Sequence, residues 1–219
     1  MDGPSAVRRH LPPDRPVTWV ALAGFMGAGK SRIGWELSRR LSLTFIDTDR
    51  VIERVTCMKI PEILELYGET TFRDYETEVV RRCLRLDEVV VSTGGGTVVR
   101  EENRRLLRSR GPVVVLEASP ATIYKRTRRH KRPLLELGDP TERIRQLLAE
   151  RGPAYDDAAS FKVSGDGRVS TEVVEEIVRK LGAWAQAHPG LARRRGIERP
   201  DGELTGPGPA RGDEGEERP

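Results

Sequence analysis

The chain predicts an α/β fold: a parallel sheet of five strands with helices on both faces. Two observations carry this. Short apolar, β-prone runs recur along the sequence, separated by stretches in which apolar residues repeat at helical spacing. The first such run also leads directly into Gly24-Phe25-Met26-Gly27-Ala28-Gly29-Lys30-Ser31, which fits G-x-x-x-x-G-K-[ST] and opens a helical pattern. Strands that alternate with helices pack as parallel sheets with right-handed crossovers. Ligands of such sheets bind beyond the carboxyl ends of the strands.

In chain order, residues 1–16 carry Pro4, Pro12, Pro13 and Pro16 and are expected to form a loose arm. Residues 17–23 make the first buried strand, and Ile33, Leu37 and Leu41 mark the helix after the glycine loop. A short second strand over 43–46 ends in Asp47-Thr48-Asp49. Pro61 and Gly68 frame a short helix over 60–67. Phe72, Tyr75, Val79, Cys83 and Leu86 then give a longer helix one apolar face. The third strand, 89–93, runs straight into Gly94-Gly95-Gly96. A helix over 101–110 and a fourth strand over 113–116 follow, and Ser119-Pro120 is a cap and first-turn pair for the next helix. The apolar period is lost across the basic stretch 126–133 and resumes after Asp139-Pro140, for a helix expected to stop at Gly152-Pro153. Residues 161–163 are the fifth strand, and Val174, Ile177, Val178 and Leu181 mark a closing helix. The domain thus spans 17–187, and 188–219, rich in Gly, Pro, Arg and Glu, is expected to be a disordered tail.

At 219 residues the chain is long enough for one well-buried α/β domain. No apolar run approaches the roughly 18 residues of a membrane span, and proline-rich polar sequence follows Arg8 and Arg9 where a secretory signal needs an apolar core. A cytoplasmic protein is expected. Cys57 and Cys83 are too isolated for a disulfide framework or a zinc site. The net charge of +4 suits a site built for phosphates and a carboxylate, and equally permits nucleic-acid binding. With aromatic residues at 5%, however, there is no aromatic-interleaved basic stripe, and no nucleic-acid partner is expected.

The glycine loop carries the firmest chemistry. Its glycines let the backbone wrap an anion, and the amides of Gly27, Ala28, Gly29 and the helix start point at it. Lys30 would reach the β- and γ-phosphates of a nucleoside triphosphate, and the Ser31 hydroxyl would ligate Mg²⁺. Asp49 is the candidate base for deprotonating an acceptor hydroxyl, with Asp47 facing the metal. Taken alone, that pair is equally an acidic turn. Arg73 and Glu76, at i and i+3, suit a guanidinium held by one carboxylate while it forks onto another. Without context they are a surface ion pair worth about 0.3–0.5 kcal/mol. Three successive glycines after a strand point to a ligand that approaches the main chain closely. The basic stretch could be a nucleic-acid patch, a solvated loop containing His130, or a mobile lid over about 126–135. Its place between helices favours a lid that delivers an arginine to the phosphates.

Gly-Phe-Met-Gly-Ala-Gly-Lys-Ser, Asp-Thr-Asp, Gly-Glu-x-x-Phe-Arg-x-x-Glu, Gly-Gly-Gly and Arg-Pro-Leu-Leu together closely resemble the shikimate kinase family, over roughly 18–181. The resemblance implies a P-loop kinase fold like that of nucleoside monophosphate kinases, with a five-stranded parallel sheet, a substrate-binding helical region and a lid. It implies transfer of the ATP γ-phosphate to the 3-hydroxyl of shikimate, on the route to chorismate and aromatic amino acids. Lys30 and Arg132 would then stabilise the transferring phosphoryl, and Ser31 and Asp47 would hold Mg²⁺. Asp49, Arg73, Gly95, Gly96 and Arg151 would hold shikimate, with Glu76 orienting Arg73 and Phe72 walling the pocket. Arg126 matches the arginine that stacks on adenine. The enzyme is expected to act as a monomer. The chain departs from the family pattern at Arg32, which joins the ATP-binding set where Thr is usual, at Leu64, in a shorter lid, and in the adenine loop Ser164-Gly165-Asp166-Gly167. A kinase for another small hydroxylated acid, and a non-enzymatic ATP-binding module, are the alternatives.

Overall fold

The computed structural model describes residues 15–128 and 139–192. Five strands, β1 (Trp19–Ala23), β2 (Thr44–Asp47), β3 (Val89–Ser92), β4 (Val113–Glu117) and β5 (Phe161–Ser164), form one sheet in the order β2-β3-β1-β4-β5. Every pairing is parallel. The helices are α1 (Lys30–Arg40), α2 (Thr48–Thr56), α3 (Ile60–Cys83), α4 (Glu101–Arg110), α5 (Pro120–Thr127), α6 (Pro140–Ala158), α7 (Ser170–Ala187) and α8 (Pro189–Ala192), with a 3-10 turn at Thr97–Val99.

Side chains of a strand alternate between faces, and β1 shows the result. Trp19, Ala21 and Ala23 enter a core closed by α3, α4 and α6, with Val79, Leu107 and Ile144. Val20 and Leu22 enter a second core closed by α1 and α7, with Leu37, Ile177 and Leu181. Each aliphatic side chain so buried contributes about 1.5–3 kcal/mol relative to exposure. That explains why the apolar runs were legible as strands: these central strands are covered on both faces.

Two expectations need correction, and one helix was not anticipated. Residues 48–56, between the expected second strand and the helix 60–67, form a helix, α2; Asp47 caps it, accepting from the amides of Asp49 and Arg50. The expected short helix 60–67 and its longer successor are both present within α3, separated, as expected, at Gly68, whose φ of 78° and ψ of 172° interrupt the ladder. That helix ends at Cys83, leaving Leu86 exposed and not part of its apolar face. Helix α6 does not stop at Gly152-Pro153 but runs to Ala158. Burial of Tyr155 and Ala158 there outweighs the hydrogen bond that Pro153 cannot donate.

The limits of the arm and the tail also move. Arg15 pairs with Glu88 at 3.3 Å. Within the expected tail, α8 packs back on the domain: Ala192 is buried and its carbonyl accepts from Thr18 N at 3.2 Å. The expected lid begins inside α5, because Arg126 and Thr127 are helical.

Candidate active site

The phosphate loop joins β1 to α1. Gly24, Gly27 and Gly29 take φ of 135°, 77° and 103°, a region that glycine alone enters freely. So turned, the chain drops into the N-terminus of α1, whose ladder opens with Ile33 N on Gly29 O at 2.9 Å. Amides converge there with the positive end of the helix dipole behind them, which seats phosphates. Lys30 lies along the loop, its Nζ donating to Gly24 O at 2.7 Å and Phe25 O at 3.0 Å. Ser31 Oγ donates to Asp47 Oδ2 at 2.7 Å.

Arg32 behaves otherwise. Its side chain is 76% exposed and pairs with Glu36, one turn on, at 3.0 Å. Glu36 in turn accepts from Ser170 Oγ at 2.7 Å. The guanidinium is therefore turned toward Glu36 and α7. On the opposite flank Arg126 donates to Gly27 O and Ala28 O, both at 3.1 Å. Asp166, in the loop after β5, accepts from Ser119 N at 2.7 Å. Burial opposes its charge, yet hydrogen bonds from Thr122 and Ser119, with the Arg126 charge, hold its carboxyl below the usual range.

The other side of the site grows out of β2 and α2. Capping uses Asp47 Oδ1, at 3.2 Å from Asp49 N, and so aims Oδ2 at Ser31. Asp49, in the first turn of α2, turns the other way: its Oδ1 lies 2.6 Å from where a Cβ on Gly94 would stand. On α3, Arg73 Nη1 donates to Glu76 Oε2 at 2.6 Å, while Nη2 and Nε donate to Glu69 Oε1 at 2.7 and 3.2 Å. Burial alone would lower the Arg73 guanidinium; Glu76 and then Glu69 outweigh it and hold it above its usual value. The Glu76 side chain is 1% exposed, and its Oε1 accepts from Thr97 Oγ1 at 2.6 Å. Phe72 lies beneath, its ring 5.5 Å from the Arg73 guanidinium.

Arg151, 9% exposed, comes from α6 and sits 5.8 Å over the Phe25 ring. It also meets the Tyr155 hydroxyl, which donates to Gly95 O at 2.6 Å. Burial pushes that phenol up to about 12, so it remains a neutral donor near neutral pH. A Cβ on Gly96 would collide with the Arg73 guanidinium, and one on Gly95 would stand 3.1 Å from Met26 N. The glycine triplet is thus pressed between loop and arginine.

Asp49, Phe72, Arg73, Glu76, residues 94–96 and Arg151 all line one cleft of about 390 Å³. Gly27, Ala28, Gly29, Lys30, Ser31 and Arg126 lie at the adjoining loop. Arg132 lies outside the described residues. Sequence reasoning missed Thr48, whose Oγ1 accepts from Gly94 N at 3.0 Å, and also Thr97 and Glu69. Thr97 directly follows the triplet and Glu69 precedes Arg73 by one helical turn, so spacing alone could have flagged both.

The Ser31–Asp47 oxygen pair suits a hard divalent cation that keeps most of its ligands as water and phosphate oxygens. Among the described residues no group of three or more His, Cys, Asp and Glu forms a fuller cage.

A nucleotide loop that shares the wall of Met26 and Asp47 with a separate pocket into which Arg73 and Arg151 both project has the layout of a P-loop kinase for a small acidic molecule. Comparison with known proteins narrows that class. The sequence model of shikimate kinase matches residues 26–182. A shikimate kinase of Deinococcus radiodurans is 56% identical over 82% of this chain and 91% of its own, and one from Thermus thermophilus is 53% identical over 79% and 95%. The solved shikimate kinase of Acinetobacter baumannii in complex with shikimate superposes with a TM-score of 0.74 at 34% identity, over 77% of this chain and 95% of that one. The chain belongs to the shikimate kinase family.

Proposed function

We propose that this cleft transfers the γ-phosphoryl of ATP to the 3-hydroxyl of shikimate, giving shikimate 3-phosphate and ADP on the route to chorismate and the aromatic amino acids. The observation that carries the reading is that Asp49, Arg73 and Arg151 face one small cleft whose glycine wall abuts the phosphate loop. Arg73 and Arg151 hold the shikimate carboxylate by charge-assisted hydrogen bonds, and Glu76 keeps Arg73 in place. Asp49 accepts the proton of the 3-hydroxyl as its oxygen attacks the γ-phosphorus and the bond to the ADP oxygen breaks. Lys30 leaves its carbonyl partners for the phosphates, and Arg132 joins it on the transferring phosphoryl. Arg126, strapped to the loop and facing Asp166, lies against the adenine. Ser31 and Asp47 would hold Mg²⁺, which when bound neutralises phosphate charge. The protein works as a monomer in the cytoplasm.

The test is Asp49→Asn. Binding of a fluorescent ATP analogue should stay near the parent value, while shikimate-dependent ADP release falls by about 10²–10⁴-fold. Turnover within a few-fold of the parent would remove Asp49 from the role of base.

A further inference from the structure

The Arg73 guanidinium, assigned above to the acceptor carboxylate, is already met by two carboxylates of its own chain, and the two are not equivalent. Glu76 is fixed: it is 1% exposed and its second oxygen is held by Thr97. Glu69 is 66% exposed. Its Oε1 bridges Nε and Nη2, at 3.2 and 2.7 Å, the two-donor edge that an incoming carboxylate matches. Glu69 also lines the acceptor cleft.

We propose that Glu69 is a specificity-determining residue, an internal competitor that occupies the fork of Arg73 until the substrate carboxylate displaces it. This rests on the reading of Arg73 as a shikimate ligand. Two carboxylates cannot share one guanidinium edge without like-charge repulsion, so entry of the acceptor requires Glu69 to leave. Exit is easy. Glu69 is the first residue beyond the Gly68 break, and its own side chain is mostly in water, which can solvate the carboxylate once it leaves the largely buried Arg73. The exchange swaps one carboxylate for another. A molecule without a negative charge gains nothing at Arg73 to offset the pair it breaks, so the device discriminates for acids as well as setting the working concentration.

The experiment measures steady-state kinetics for shikimate and ATP in Glu69→Gln, Glu69→Asp, Arg73→Ala and the Glu69→Gln/Arg73→Ala double variant. Glu69→Gln removes the competing charge, and Glu69→Asp withdraws it from reach while keeping net charge. Both should lower the KM for shikimate about 2- to 5-fold, with the KM for ATP unchanged. In the Arg73→Ala background, Glu69→Gln should have no further effect. A raised KM in Glu69→Gln would instead make Glu69 a support that aligns Arg73, and an unchanged KM would mean no competition; either overturns the proposal. A parent-like KM in Glu69→Asp, with a lowered one in Glu69→Gln, would reduce the effect to a general field and overturn it too. An unchanged shikimate KM in Arg73→Ala is a separate failure, that of Arg73 as the carboxylate ligand, and takes the competitor with it.

Discussion

Gly94→Ala should disable catalysis while sparing nucleotide binding. A Cβ at this position would stand 2.6 Å from Asp49 Oδ1, 2.7 Å from Glu76 Oε1 and 3.0 Å from Thr97 Oγ1. Gly94 is not among the glycines of positive φ, so alanine meets no backbone strain there and its effect comes from the methyl group. Carbon and oxygen settle at about 3.3 Å or more, so each carboxylate must yield by more than about half an ångström. Glu76 is pinned between Arg73 and Thr97. Asp49, which faces the open cleft, moves instead. A displacement of about 1 Å in a catalytic group costs as much as 10²-fold, so kcat should fall about 10- to 100-fold. Overpacking of about 1–3 kcal/mol should lower Tm by several degrees, at about 2–4 °C per kcal/mol. Coupled ADP release at saturating substrates reads kcat, and titration with a fluorescent nucleotide reads the loop. A folded variant with kcat within about threefold of the parent would refute the placement of Asp49 against the triplet.

Three further outcomes are expected. Arg73→Ala or Arg151→Ala should raise the KM for shikimate about 10- to 150-fold by leaving the carboxylate under-paired, with little change for ATP. Truncation after Ala192 should leave Tm near the parent value, whereas truncation after Ala187 should lower it, because Ala192 is buried and its carbonyl pairs with Thr18 N; equal melting curves would show that α8 contributes nothing. A thiol reagent should label Cys57 but not Cys83 in the native protein and both in denaturant. Burial pushes Cys83 up to about 12, so its stabilising effect is full below the ordinary thiol value of about 8.5 and is lost as pH rises through the folded value.

Most of the sheet could be read in advance because its three central strands are apolar on both faces and its glycine loop is a local pattern. What escaped was decided by distant residues. Asp47-Thr48-Asp49 looks like a turn, yet Asp47 caps a helix that buries Ile52. Gly152-Pro153 carries a stop signal that the burial of Tyr155 and Ala158 overrides. Arg32 adjoins the phosphate loop in sequence, but helix geometry hands its side chain to Glu36. Site residues followed the same division. Spacing brought out Arg73 and Glu76 as partners, while the engagement of Glu69 with the other edge of the guanidinium depends on where the break at Gly68 restarts the helix.

On the assignment proposed above, the position of β1 at the centre of the sheet makes the two substrate territories separable. The acceptor side is drawn from one unbroken stretch, 47–97, flanking β2 and β3. The nucleotide side gathers around β4 and β5, through Arg126 and Asp166. The loop after β1 serves both. Arg151 is the exception: it belongs to α6, which lies between β4 and β5 in the chain, yet it lines the acceptor cleft. A new acceptor specificity could therefore be acquired by exchanging one contiguous cassette together with a single matched change at position 151, leaving the phosphate-handling apparatus inherited intact.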